Sequence, residues 1–303
     1  MGLSLRLRAD LSILGLSAIW GGSFVIVKGA LANISPMALI AIRFLIASLA
    51  LWPFLPAGTL GSLKARTSRA LMLGGLVTGG LLFLGFTTQT IGLQHTTPSR
   101  SAFITGMYII FTPLLSIALG LRRPALASFA GALLAVVGLA LLTNPGAGSD
   151  GFGKGELLTL LCAVAFAGHL LAVDYYTRLF DKATIAFLQV AVTALLAAPA
   201  VLLEPIRIEP SGGLIAAILF ASLIGTALAF LVLNLVQSWT TPTRAAIIFA
   251  AEPVFAGLAS WAVEGEEFSN ASLAGAALIL AGMLTSELAP SRRGGPSESV
   301  AGA

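Results

Sequence analysis

The chain has 303 residues, of which 57% are hydrophobic and 10% are charged, and its mean hydropathy is +0.96. This composition excludes a soluble globular protein and indicates a membrane protein. The net charge of +4 is spread over short hydrophilic gaps rather than one basic patch, so no nucleic-acid partner is expected. The single cysteine, Cys162, excludes a disulfide framework and a thiolate metal cluster within one chain. Neither a metal nor a cofactor is expected.

Ten apolar segments along the chain are long enough to span a membrane, and most of the connections between them are short. Arg6 and Arg8 precede the first segment, which is too long for the apolar part of a secretory signal, about 7 to 15 residues. The sequence therefore predicts an all-α integral membrane protein with ten transmembrane helices. The segments are 11–31, 36–54, 70–93, 98–121, 125–143, 155–177, 183–203, 213–238, 242–263 and 271–288.

Basic residues between the segments predict the orientation of the chain. If the N-terminus is cytoplasmic, 12 lysines and arginines lie on the cytoplasmic side and 4 on the other side. Because cytoplasmic loops carry the excess of positive charge, both termini are predicted to be cytoplasmic. The four residues on the outer side are Lys28, Arg100, Lys154 and Arg207.

An internal repeat divides the chain into two halves. The stretch 96–100 recurs at 240–244, and the same offset of 144 residues aligns Gly138 with Gly282. Nearer the start of each half, an offset of 146 aligns 20–23 with 166–169 and Arg43 with Gln189. Each half holds five segments, and an odd number inverts the second copy relative to the first. The predicted units are 1–148, the inverted 149–289, and a disordered cytoplasmic tail at 290–303.

Several short motifs resemble the EamA family of the drug/metabolite transporter superfamily. They are the run 20–24 in the first segment, Pro36 and 43–44 in the second, 252–254 in the ninth, 265–266 after it, and Gly275 with Gly282 in the tenth. The resemblance covers nearly the whole chain. It implies a ten-helix exporter of small metabolites, in a family where exporters of amino acids, including aromatic amino acids, are prominent.

Three ionisable residues lie well inside the predicted helices, where a charge costs about 2.5 to 3.5 kcal/mol. Glu252 is close to the midplane and is expected either to bind a proton or an ammonium group, or to be a buried acid bonded to a neighbouring helix. His169 is interpreted either as a group that couples proton movement or donates to a substrate carboxylate, or as an interhelical hydrogen-bond partner. Arg43 either binds a substrate carboxylate, pairs with Glu252, or extends towards the membrane surface.

Aromatic and polar residues complete the predicted substrate site. Trp20 lies at mid-helix beside Gly21 and Gly22, where either a helix or a substrate can approach the backbone. Tyr108 occupies the repeat position of Glu252. The other polar residues predicted to line this space are Ser23, Gln89, Asn234 and Gln237.

Four residues are predicted to act in gating. Arg100 and Arg244, at equivalent repeat positions, are expected at the outer and inner mouths of the pathway, where they contact either gate carboxylates or lipid headgroups. Pro113 and Pro253 each remove a backbone hydrogen bond and permit a kink.

The sequence therefore predicts a bacterial inner-membrane exporter of small metabolites, most plausibly amino acids and including aromatic ones. It works by alternating access around a midplane cavity, with the membrane lipid and a small-molecule substrate as partners. Whether transport is proton-coupled or facilitated stays open. A multidrug or nucleotide-type carrier is the alternative within the superfamily, and a membrane enzyme or receptor is the alternative outside it.

Overall fold

Helices make up almost all of the secondary structure in the computed structural model of the chain. The structure describes residues 4–56, 67–96, 98–121, 125–143, 153–264 and 270–287, and within helices a few side chains, including that of Arg100, are outside the description. In these ranges the only β-pairing is one antiparallel bridge between Ile34 and Ile208. The predicted all-α class is confirmed, whereas the predicted disordered tail, 290–303, lies outside the described residues.

The described helices follow the predicted segments closely. In chain order they are α1 (Leu5–Ala30), α2 (Pro36–Leu51), α3 (Thr67–Gln94), α4 (Pro98–Gly106), α5 (Tyr108–Ala118), α6 (Leu126–Thr143), α7 (Lys154–Leu179), α8 (Lys182–Ala200), α9 (Gly212–Leu219), α10 (Ala229–Gln237), α11 (Pro242–Phe249), α12 (Glu252–Glu264) and α13 (Asn270–Glu287). Helix α1 begins six residues before the predicted start at residue 11, because the Ser4 side chain accepts a hydrogen bond from the Leu7 amide and caps an earlier turn.

Eight stretches of helix in the described residues are long and apolar enough to cross a membrane. The apolar stretches found in α6 and α13, Phe129–Leu141 and Leu273–Gly282, are shorter. The chain is therefore a multi-pass membrane protein. The two further crossings that the sequence predicts stay a prediction.

Two predicted segments are each broken into two helices, at equivalent positions of the repeat. Segment 98–121 breaks at Met107, between α4 and α5, and segment 242–263 breaks at 250–251, between α11 and α12. At both breaks the backbone tightens, since the Met107 amide donates to Ile104 and the Ala251 amide donates to Ile248, each three residues back. The breaks precede the predicted kinks at Pro113 and Pro253. Pro113 lies inside α5, and Pro253 is the second residue of α12, where its missing amide hydrogen is tolerated.

The predicted segment 213–238 is continuous but not uniform. Its central part, Phe220–Leu228, is a π-helix between α9 and α10. Within it the Thr226 hydroxyl donates to the Ala221 carbonyl, five residues back, at 2.7 Å. Such wide turns are rare and are often found at functional sites.

Glycines allow the two halves to pack closely against each other. Helix α6 packs along α13, where a Cβ on Gly138 would lie 2.6 Å from the Gly275 carbonyl oxygen and a Cβ on Gly282 would lie 2.5 Å from that of Gly131. Helix α1 packs against α12, and α7 packs against α4 and α5. Each half therefore contributes its first helix to the other half's broken pair.

Gly21 marks the closest approach between α1 and α12. A Cβ on Gly21 would lie 2.5 Å from the Glu252 carbonyl oxygen and 2.9 Å from the Ala256 amide nitrogen, whereas a Cβ on the neighbouring Gly22 would meet nothing within 4 Å. The absent side chain of Gly21 thus sets how near Glu252 comes to α1.

This contact predicts different stabilities for two adjacent substitutions. Gly21→Ala should lower the free energy of unfolding by roughly 1–3 kcal/mol, because the added methyl group must push two backbones apart. Gly22→Ala should leave it unchanged or raise it by up to about 1 kcal/mol through helix propensity. Thermal melting in detergent of the two variants and the parent protein measures the difference, and equal melting temperatures would contradict the packing argument.

Candidate functional site

A cavity lies at the centre of the bundle. Its empty space amounts to about 730 Å³ when the open solvent at its mouth is included, and residues from both halves of the chain line it. On α1 the lining runs from Trp20 to Val27, and on α3 from Leu82 to Leu93. The cavity therefore extends from the middle of the bundle towards the face where α1 ends, called here the Lys28 face. The other face, where α1 begins, is called the N-terminal face.

Seven of the nine predicted substrate-site residues line this cavity together: Trp20, Ser23, Arg43, Gln89, Tyr108, His169 and Glu252. Asn234 and Gln237, both on α10, are buried but are not part of the lining. Asn234 lies behind the wall, and the Gln237 amide has no hydrogen-bond partner among the described residues.

Arg43 presents a buried guanidinium to the cavity. It does not extend to the surface, since only 4% of the residue is exposed. Its Nε donates to the Thr226 hydroxyl at 2.6 Å, and Nη2 donates to the Gly225 carbonyl at 3.1 Å. The guanidinium also lies over the Phe86 ring, 4.6 Å from its centroid. Among the described residues Arg43 forms no ion pair, with Glu252 or with any other carboxylate.

The π-helix supplies both of the groups that hold Arg43. The Gly225 carbonyl also accepts a hydrogen bond from the Trp20 indole at 2.9 Å, so Trp20 and Arg43 share one acceptor. In an α-helix most carbonyl groups are used within the helix, and the wide turn makes this one available to side chains. Apart from the adjacent Gly225 and Thr226, nothing in the sequence indicated this arrangement.

Glu252 lies on the other side of the break between α11 and α12. It is the first residue of α12, where the partial positive charge of the helix N-terminus favours a carboxylate. The Tyr108 hydroxyl, on α5, donates to its Oε2 at 3.5 Å. These two residues occupy equivalent repeat positions, so the two breaks bring the same position of each half to the centre.

Five phenylalanines line the cavity beside these residues, and the sequence analysis did not select them for the site. The Trp20 ring stacks on Phe249 at 5.0 Å between centroids and is tilted on Phe230 at 5.6 Å. Phe86 contacts Phe166 edge-on at 5.4 Å. The repeat itself contained the missing information, because Phe86 aligns with Phe230 at an offset of 144 and Trp20 aligns with Phe166 at 146.

His169 is held from behind by a buried amide. Its Nε2 lies 2.6 Å from Gln189 Oε1, and the Gln189 amide nitrogen donates to the Asn234 side-chain oxygen at 3.1 Å. Gln189 is the repeat equivalent of Arg43. Elsewhere in the wall the Gln89 amide donates to the Thr105 hydroxyl at 3.1 Å.

The predicted gating residues lie at different depths. Arg244, near the start of α11, is buried and bonded through Nε and Nη2 to both carboxylate oxygens of Asp10 on α1, at 2.8 and 2.5 Å. This contact is on the N-terminal face, and only 5% of Arg244 is exposed. The Arg100 side chain lies outside the described residues.

No group of three or more His, Cys, Asp or Glu among the described residues could hold a metal ion. Cys162 is buried in α7 as a free thiol.

Comparisons with known proteins identify the family. The sequence model of the EamA-like transporter family matches residues 7–144 and again 153–286. An uncharacterized transporter from Archaeoglobus fulgidus is 34% identical over 91% of this chain and 84% of its own length. A WAT1-related chloroplastic protein from Arabidopsis thaliana is 27% identical over 86% of this chain and 65% of its own length.

A crystal structure with 21% sequence identity shares the fold, with a TM-score of 0.74 over 93% of this chain and 97% of the other. The family match spans nearly the whole chain in two copies and agrees with the resemblance drawn from the motifs. The chain belongs to the EamA-like transporter family and is a membrane transporter, not an enzyme.

Proposed function

We propose that this transporter exports amino acids, including aromatic ones, across a bacterial inner membrane by alternating access around the central cavity. One observation carries the proposal: Arg43 and Glu252, of opposite charge, line the same buried cavity without forming an ion pair with each other. Each charge is costly at membrane depth, so a ligand that supplies both counter-charges gains the most. The zwitterionic group of an amino acid is such a ligand.

The hydrogen-bonding capacity of each residue assigns the two ends of the substrate. Arg43 commits Nε and one terminal nitrogen to the π-helix, which leaves donors on its fork for a carboxylate. Glu252 accepts one long hydrogen bond from Tyr108, which leaves carboxylate lone pairs for an ammonium group. The carboxylate of the amino acid is therefore assigned to Arg43 and its ammonium group to Glu252.

The remaining wall supports an apolar or aromatic side chain. Rings of Trp20, Phe86, Phe166, Phe230 and Phe249 border the space, and aromatic pairs gain about 0.5–1.5 kcal/mol beyond the area they bury. A nucleotide would require more cations than the one guanidinium of Arg43, and a cationic drug would leave Arg43 unmatched.

Matched ligands and variants test the assignment of charges. In detergent, phenylalanine should raise the melting temperature of the protein, and phenethylamine and phenylpropanoate should each bind at least about 10-fold more weakly. Truncating one partner of a buried hydrogen-bonded charge pair costs about 2–5 kcal/mol, where 1.4 kcal/mol is tenfold. Arg43→Gln should abolish the preference for phenylalanine over phenethylamine, which lacks the carboxylate. Glu252→Gln should abolish the preference for phenylalanine over phenylpropanoate, which lacks the ammonium group.

The control for these variants is Glu209→Gln, which changes an exposed carboxylate 3.9 Å from Arg207 and should preserve both preferences. If cationic drugs or nucleotides bind and amino acids do not, the alternative carrier class replaces this proposal.

Alternating access requires a gate at each face of the bundle. The excess of basic residues assigns the N-terminal face to the cytoplasm. The Asp10–Arg244 pair closes that face. Two helical turns deeper on α1, the Ser17 hydroxyl donates to the Ile13 and Ile248 carbonyls. The closely packed glycine pairs between α6 and α13, and the equivalent breaks at Met107 and 250–251, support the inverted arrangement of the two halves. We infer that the Asp10–Arg244 pair is the cytoplasmic gate.

Thiol labelling tests this gate and the orientation together. Ser17→Cys, in a Cys162→Ala background, places a reporter beneath the pair. Adding Arg244→Gln should increase its labelling rate from the cytoplasmic side of oriented vesicles by roughly 5- to 150-fold, the range of a 1–3 kcal/mol shift in a two-state equilibrium. Glu209→Gln should leave the rate unchanged. If Arg244→Gln left the labelling rate unchanged, the proposal that this pair is a gate would be wrong. Faster labelling from the external side would mean that the predicted orientation is wrong.

A further inference from the structure

Three buried polar side chains form a row of hydrogen bonds that begins at the cavity wall and leads away from the cavity. His169 on α7 contacts Gln189 on α8, and Gln189 contacts Asn234 on α10. The exposed fractions of the three residues are 3%, 0% and 0%. With its amide in the orientation that satisfies both of its ends, Asn234 accepts a hydrogen bond from the Ala186 amide in the first turn of α8 at 2.9 Å and donates one to the Phe230 carbonyl at 3.2 Å. Only His169 of the three borders the cavity.

The donor and acceptor roles in these hydrogen bonds determine which ring nitrogen of His169 carries the hydrogen. The Gln189 amide nitrogen donates to the Asn234 side-chain oxygen, so the Gln189 carbonyl oxygen is the atom that faces the imidazole. A carbonyl oxygen only accepts, and Nε2 of His169 must therefore carry the hydrogen. In the neutral ring Nδ1 is then a lone-pair acceptor. Among the described residues, Nδ1 has no hydrogen-bond partner.

The neutral form is favoured by the surroundings of the ring. A charged imidazole at membrane depth costs several kcal/mol, and the same cavity already holds the uncompensated guanidinium of Arg43. The groups around the cavity that could offset a charge on His169 are Glu252 and, through it, Tyr108. Glu252 is committed to the substrate ammonium group in the proposed function.

The acceptor lies in the aromatic part of the wall. The His169 ring meets Phe230 edge-on, 5.7 Å between centroids, and Phe230 in turn contacts Trp20 and Phe86. A substrate ring packed among these side chains would find Nδ1 as a hydrogen-bond acceptor at its edge. Burying that acceptor against a ring without a donor leaves it unsatisfied, which weakens binding.

We propose that His169, oriented by Gln189 and Asn234, selects substrates whose aromatic side chain carries an N–H or O–H donor. This inference rests on the proposed function and deepens it, because it names phenol- and indole-bearing amino acids as the preferred class over phenylalanine. His169 is the specificity-determining residue, and Gln189 is a positioning residue that acts through it.

Binding of a matched ligand set tests the selection. In the parent protein, tyrosine should bind at least about 10-fold more tightly than phenylalanine and O-methyltyrosine. Neither of those two ligands can donate a hydrogen bond from its ring, so each leaves the buried acceptor unsatisfied. His169→Phe should reduce the preference to within about 2-fold while phenylalanine still binds. His169→Asn, which retains an acceptor near the position of Nδ1, should restore part of the preference.

The role of Gln189 is tested by a measurement that does not depend on ligand binding. The chain has 2 histidines, so the nitrogen-15 spectrum of histidine-labelled protein carrying His95→Gln reports on His169 alone. Its two ring nitrogens should give the separate signals of a single Nε2–H tautomer. Gln189→Leu should convert them towards the averaged signals of mixed tautomers, and should reduce the preference for tyrosine without weakening phenylalanine.

Each outcome bears on one proposal. If phenylalanine and tyrosine bind equally to the parent protein, or if the spectrum shows the Nδ1–H tautomer, the selection by His169 is wrong and the amino-acid assignment stands. If no amino acid binds while Arg43→Gln and the parent protein melt alike, the proposed function fails and the selection fails with it.

Discussion

A charged side chain at membrane depth must be solvated by the protein, and the central site of this transporter depends on how that is done for Arg43 and Glu252. The π-helix solvates Arg43 through the Gly225 carbonyl and the Thr226 hydroxyl. The N-terminus of α12 and the Tyr108 hydroxyl solvate Glu252. If the two side chains were ion-paired instead, each would satisfy the other and the cavity would offer no uncompensated charge to a substrate. Two irregular stretches of backbone thus keep the charges separate and the site open.

The helical segments were predictable from the sequence because length and hydropathy report directly on membrane crossing. The breaks at Met107 and 250–251 were not, because local apolar composition is the same on both sides of each break. The π-helix left no sign in hydropathy for the same reason. Seven residues of the cavity were found because polar groups in apolar helices are rare, whereas composition alone does not distinguish the phenylalanines of the wall from those that face lipid; only their alignment within the repeat sets them apart. Asp10 was passed over because its position before the predicted start of the first segment suggested a solvated end.

Residues at equivalent positions of the two halves line the cavity, and their chemistry differs between the halves. Six pairs of equivalent residues line it: Trp20 with Phe166, Ser23 with His169, Phe24 with Leu170, Phe86 with Phe230, Gln89 with Leu233, and Tyr108 with Glu252. Three of the pairs are apolar or aromatic in both halves and preserve the wall, whereas the other three differ in polarity, charge or hydrogen-bonding capacity. Arg43 and its equivalent Gln189 differ in the same way, the first contacting the cavity directly and the second acting through His169. The first half therefore supplies the cation, Arg43, and the second half supplies the anion, Glu252. Two identical halves could not place opposite charges at the two ends of the site.

Two contacts at equivalent positions of the repeat join the halves, one near each face of the bundle. Asp10 lies near the start of the first helix of one half and binds Arg244 on the broken pair of the other half. Its equivalent at an offset of 146 is Glu156, near the start of α7, which accepts a hydrogen bond from the Thr96 hydroxyl just before α4 at 2.6 Å. Each contact joins the two halves, and each lies at the opposite face from the other. Because α1 and α7 belong to different halves, the alternating access that we propose would separate one contact while the other holds, and so would open one face at a time.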